Sequence, residues 1–133
     1  MRTLNLDTSR REQLVDITAS LHTLTRAAEV REGVLVAFVP HTTAGITINE
    51  NADPSVRADL TMAFDHLVPE SLPFTHAEGN SDGHTKSSLV GSSVTLIIHE
   101  GRLQLGTWQA VYFAEFDGPR HRRVLVTLIP EAA

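Results

Sequence analysis

The stretch from Gly91 to the C-terminus constrains the fold most. Val94–Ile98 is apolar, Leu103 and Leu105 alternate, and Trp108–Phe116 is a long aromatic and β-branched run. Asp117-Gly118-Pro119-Arg120 is a tight turn, after which Arg123–Ile129 returns as a last strand. Consecutive runs of this kind, broken by glycine and charged turns, predict strand after strand with no helix between. A parallel α/β fold needs strands and helices to alternate throughout, and this half does not provide that alternation.

The first half supplies the helices. Residues 2–7 alternate around Leu4 and Leu6, and Gln13–Ile17 reads as a second strand. Asp16 or Thr18 then caps a helix running to about Val30, with Leu21, Leu24, Ala27 and Ala28 inward. Val34–Val39 is a continuous apolar run, which predicts a strand buried on both faces. Ile46 and Ile48 resume a period of two. Asp53-Pro54 then opens a helix carrying Val56, Leu60, Ala63, Phe64 and Leu67. A third, short helix is expected after His84. The predicted fold is α+β: a β-rich, jelly-roll-like two-layer sandwich of seven or eight strands with two or three helices, in one domain over residues 1–133.

Composition removes several functions. A net charge of −5 with no basic run argues against nucleic-acid binding. The absence of cysteine excludes disulfides and thiolate zinc sites. No apolar run approaches membrane-spanning length, and MRTLNLDTSRREQ lacks the apolar core of a signal peptide, so a cytoplasmic location is the expectation.

Chemistry concentrates in three segments. The densest is His76–Gly91, HAEGNSDGHTKSSLVG, whose ionisable groups have no place in an apolar core without partners. The others are His41-Thr42-Thr43, just beyond a buried strand, and Asn49, Glu50, Asn51 and Asp53 at the end of the next. His41, His76 and His84 form a candidate three-nitrogen site for a divalent metal, the arrangement a catalytic zinc uses; the carboxylates suit magnesium instead. The structural alternative is that one or two of these rings bond loop backbone.

Lys86, with Ser87, Ser88 and a helix start, is a candidate phosphate cradle, against the alternative of a solvated lysine. Glu50 is a candidate base, metal ligand or orienting group, and Glu78 and Asp82 share that ambiguity. Asp53 is a helix cap first, and Asn80 suits a positive φ beside Gly79. Trp108 is assigned to core or subunit interface, and Gln109 is admitted near the site. Arg120 and Arg122 could bind an anion, against the usual alternative that arginines flanking a hairpin turn point to water. His22, His66, His99 and His121 have surface readings.

Three blocks taken together, HTTAGITINENADPSVRADL, HAEGNSDGHTKSSLVG and SSVTLIIHEGRLQLGTWQAVYFAEFDGPRHRR, resemble the YjbQ family of secondary thiamine-phosphate synthases over roughly residues 15–129. The SxxLxIxxGxxxxGTWQ element from Ser93 to Gln109 is close to that family's signature. The resemblance implies a sandwich-like domain assembled as a homotrimer, with a polar pocket near the subunit boundary. It also implies a weak capacity to join a pyrimidine pyrophosphate to a thiazole phosphate. Carried over, the family's polar set falls on His41, Thr42, Glu50, Asn51, Asp53, His76, Glu78, Asn80, Asp82, His84, Lys86, Ser88 and Gln109.

The resulting expectation is a pocket for a small phosphorylated metabolite. A divalent metal, zinc or magnesium, is expected with His41, His76 and His84 as its ligands; zinc prefers these histidines, and magnesium would prefer Glu50, Asp53, Glu78 or Asp82. Glu50, Asp82 and Lys86 are catalytic, and Thr42, Asn51, Asn80, Lys86, Ser88 and Gln109 hold substrate. The competing expectations are a metal-dependent hydrolase or phosphatase, and a non-enzymatic trimer that binds a metal or an anionic metabolite.

Overall fold

The computed structural model describes residues 1–133. Eight strands form two antiparallel sheets. The larger has the order β1 (Arg2–Asp7), β8 (His121–Pro130), β3 (Gly33–Phe38), β5 (Ser93–His99), β6 (Arg102–Leu103). The smaller has the order β2 (Gln13–Asp16), β7 (Gln109–Glu115), β4 (Ala44–Glu50). Three helices, α1 (Thr18–Ala28), α2 (Pro54–Leu67) and α3 (Ser81–Val90), complete the α+β fold. No helix is long and apolar enough to cross a membrane.

The core lies between the sheets. Leu35 and Ala37 from β3, Leu96 and Ile98 from β5, and Val124 and Val126 from β8 meet Ile46 of β4 and Val111 and Phe113 of β7. Leu21 of α1 closes one end. Burying a residue of this size is worth about 1.5–3 kcal/mol, so these alternating positions fix which face of each strand turns inward.

Several expectations need correction. β3 is not buried on both faces: its burial alternates, and Phe38 is 43% exposed. An antiparallel sheet covered on one side needs only every second residue inside. Asp117–Arg120 is not the turn of a hairpin, because β7 and β8 lie in different sheets and the turn carries the chain from one to the other. Trp108 is 65% exposed, so it is not core. Ala27 is exposed while Thr25 is buried, its hydroxyl donating to the Leu21 carbonyl. The left-handed residue before α3 is Gly79 (φ 76°), and Asn80 takes an ordinary φ of −121° as the N-cap.

The second helix begins as expected. Asp53 accepts from the Ser55 N–H at 2.9 Å, and Pro54 takes the first helical position. The third begins earlier than expected, at Ser81, which places both His84 and Lys86 within one helix.

Candidate functional site

Where β3 ends, the chain leaves the sheet through Val39-Pro40-His41-Thr42-Thr43 and re-enters as β4. Beside this crossover lie the N-terminus of α3 and the β7–β8 turn. Together they border an open polar cavity of about 780 Å³, lined by His41, Thr42, Thr43, His76, Glu78, Asn80, His84, Ser92, Asp117, Arg120 and Arg122 with the Phe38–Pro40 strand end. All three expected imidazoles line it.

His76 and His84 touch edge to face, with ring centroids 5.4 Å apart and planes at 88°. Nε2 of His76 lies 3.7 Å from Oε2 of Glu78, an ion pair when the ring is protonated. His41 is engaged differently: its Nε2 accepts the Arg123 N–H at 3.1 Å. A neutral ring that accepts at Nε2 carries its proton on Nδ1. Burial, then the charges of Arg122 and Arg123, hold the His41 imidazolium below its ordinary range, so the neutral form dominates near pH 7.

The cavity floor is a buried arginine, where the hairpin reading favours an arginine that points to water. Arg122 is 6% exposed, and its Nε donates to Oε1 of buried Glu115 at 2.9 Å while Nη2 donates to Thr43 Oγ1 at 2.9 Å. Nη1 bonds no protein atom. Strand phase was the available signal: Arg122 shares the inward parity of Val124 and Val126. Asp117 accepts from Asn80 Nδ2 at 2.9 Å and from Arg120 Nη2 at 3.0 Å. Burial alone would raise the Asp117 carboxyl, but these two bonds outweigh it and hold the group below its usual range. Oδ1 of Asn80 is buried with no partner.

Not all expected residues gather here. Glu50 and Asn51 sit at the far end of β4, roughly 20 Å along the strand from Thr43 at about 3.3 Å per residue. There the Tyr112 hydroxyl donates to the Asn51 side chain, and Asn51 donates to Asp16. Gln109 lies at that end too, accepting from the Gly106 N–H at 2.8 Å. Ser88 is exposed and donates to the His84 carbonyl. Asp82 and Lys86 are buried behind α3 in an ion network with Glu12, Asp65 and Arg11. Two residues apart on a helix means about 200° apart around its axis, so one element cannot point His84 and Lys86 into the same cavity.

The donor set suits a borderline metal better than magnesium, because nitrogen outnumbers carboxylate oxygen at the cavity. His76 and His84 would be the pair to hold such an ion, with Glu78 beside them. No three His, Asp or Glu side chains converge at coordinating distance. His41 joins such a set only by giving up its bond to Arg123.

An antiparallel α+β sandwich with a histidine-lined cavity where the chain passes between its sheets defines the class. The family model described as UPF0047 protein YjbQ-like matches residues 2–131, and the chain belongs to that family. It is 56% identical over 124 residues to a UPF0047 protein of Methanocaldococcus jannaschii, covering 93% of this chain and 90% of that one. It is 45% identical over 130 residues to YugU of Bacillus subtilis, covering 97% and 98%. The crystal structure of an uncharacterised conserved protein of the YjbQ/UPF0047 family from Clostridium acetobutylicum superposes with a TM-score of 0.95 at 49% identity, covering 97% of this chain and all of that one.

Proposed function

We propose that the cavity binds a divalent metal and a small phosphorylated metabolite, and that the chain is a transferase with thiamine-phosphate synthase-type activity. The observation that carries this reading is that three imidazoles and two arginines line one 780 Å³ cavity. Joining a pyrimidine pyrophosphate to a thiazole phosphate breaks the bond to pyrophosphate and forms one to the thiazole nitrogen. Negative charge grows on the leaving group, and cationic groups lower that barrier. His76 and His84 would hold the metal, which would supply Lewis acidity there. Arg122, presenting Nη1, and Arg120 at the rim seat phosphate oxygens, and Thr42 and Asn80 orient the substrate.

Zinc uptake per chain, measured for the wild type and for His41→Ala, His76→Ala and His84→Ala, tests the metal. Unchanged stoichiometry in all three variants overturns it. Complementation of a thiamine-requiring strain tests the transferase, and growth that survives His84→Ala removes catalysis from this cavity.

A hydrolase is the second reading, and the cavity's openness favours it. His76 and Glu78 are exposed, and nothing among these side chains excludes water from a reacting phosphate. Metal-dependent phosphate release from simple esters decides for it. A cytoplasmic homotrimer belongs to the same proposal. Phe38, Ile97 and Ile129, at 43, 57 and 52% exposure, lie on the outer face of the five-stranded sheet, a patch that assembly covers. Light scattering that gives a monomer refutes it.

A further inference from the structure

Lys86 is the only lysine in 133 residues, and its side chain is fully buried. Its Nζ lies 2.6 Å from Asp65 Oδ1 and 3.3 Å from Asp82 Oδ2, and it contacts Glu12 Oε1. An ammonium carries three donors and no acceptor, so each N–H has one carboxylate. The other ten cationic side chains are arginines, whose planar fork does not send three donors toward three separate elements. Glu12 precedes β2, Asp65 belongs to α2, and Asp82 belongs to α3 itself. Arg11 extends the network, donating to Asp82 at 2.9 Å and contacting Glu70.

This cage holds the end of α3 that faces the cavity. The buried residues of α3 are Asp82, Gly83, Lys86 and Ser87, none of them large and apolar, whereas a helix is ordinarily docked by an apolar stripe. Its C-terminal end has a separate anchor, the Ile46 N–H donating to the Gly91 carbonyl at 3.0 Å beside half-buried Val90. The N-terminal end carries Asn80 and His84 on one face and Asp82 and Lys86 on the opposite one.

We infer that Lys86 is a positioning residue: its caged ammonium on the back of α3 sets the helix so that Asn80 and His84 face the cavity and His84 meets His76. This assignment deepens the metal-site reading above, which gives that contact its purpose. The contact itself is observable without metal.

The test is imidazole NMR of the metal-free protein, comparing wild type with Lys86→Met and Asp65→Asn. Asp65 is the most exposed of the three carboxylates around Lys86, so Asp65→Asn is the milder change and decides the matter if Lys86→Met does not fold. The expected result is a ring-to-ring nuclear Overhauser effect between His76 and His84 in the wild type that weakens or vanishes in the variants. The His22 ring on α1 and the Val124 and Val126 methyls stay native. Unchanged His76–His84 contact in Asp65→Asn overturns the inference. So does loss of the core methyl shifts in Asp65→Asn, because the cage would then hold the fold and not the pocket. Zinc titration is the linked arm. A wild type that binds zinc is expected to lose affinity roughly ten- to a hundredfold in Asp65→Asn. A wild type that binds none sinks the metal reading and leaves the ring-contact result to judge Lys86.

Discussion

Arg122 of the five-stranded sheet and Glu115 of the three-stranded sheet form a buried ion pair that ties the two layers together at the cavity floor, with Nε 2.9 Å from Oε1. Thr8 donates to the same carboxylate at 2.7 Å, and the Phe116 and Asp117 N–H groups donate to its other oxygen at 3.1 Å. Every polar site on Glu115 is therefore used, the condition under which a buried charge is tolerated. The pair performs two tasks: it closes the sandwich, and it aims a guanidinium into the cavity.

Glu115→Ala strands the Arg122 charge. Unfolding in urea is expected to show a loss of about 3–5 kcal/mol, with much of it recovered in the double variant Glu115→Leu/Arg122→Met, where no charge remains buried. A loss under 1 kcal/mol in the single variant refutes the buried-pair account.

The sole lysine offers a chemical assay. Burial disfavours the Lys86 ammonium, but its bonds to Asp65 and Glu12 outweigh that and hold its pKa above the ordinary value. An amine-acylating reagent is expected to modify the folded chain at its N-terminus alone, and to add a second label after denaturation. Mass spectrometry that finds Lys86 labelled in native protein contradicts the cage.

Three of the histidines, His41, His99 and His121, are expected to titrate in a fixed order. His41 lies below its ordinary value of 6.5, through burial and then Arg122 and Arg123. His99 lies above it through its bond to Glu32, and His121 above it through its bond to Asp7. The linkage signs are opposite. Between its folded and unfolded pKa values His41 binds more protons unfolded, so its contribution is full above pH 6.5 and is lost as pH falls toward the folded value. The contributions of His99 and His121 are full below pH 6.5 and are lost as pH rises through their folded values. Proton NMR titration that places His41 at or above His121 reverses the assignment.

Gly45 marks where the α3 end meets β4. A Cβ there would stand 2.6 Å from the Gly91 carbonyl oxygen and 3.1 Å from the Val90 side chain. Backbone cannot give way cheaply, so Gly45→Ala is expected to destabilise by about 1–3 kcal/mol. Denaturation that finds it neutral shows that this packing is looser than the contacts indicate.

Period, capping and turn chemistry are local, and they carried most of the architecture. Alternation along Arg2–Asp7 and at Ile46 and Ile48 identified strands, as did the aromatic and β-branched run Trp108–Phe116, and Asp53-Pro54 identified a helix start. The errors arose where local pattern underdetermines pairing. Asp117–Arg120 reads as a hairpin turn whether the next strand pairs with β7 or crosses to the other sheet. The Val34–Val39 run reads as doubly buried whether or not its second face is covered.

The site divided along the same line. That His41, His76 and His84 face polar surroundings was readable from the loops that carry them, because ionisable groups between glycines have no apolar place to go. Where Lys86 points was not. It depends on helix phase, on Asp65 twenty-one residues away and on Glu12 seventy-four residues away. The sequence by itself determined the strands, the caps and the polar loops, because these depend on neighbours within a few residues. Only the tertiary structure decided which charges were paired in the interior and which faced the cavity, because a charge finds its partner through space.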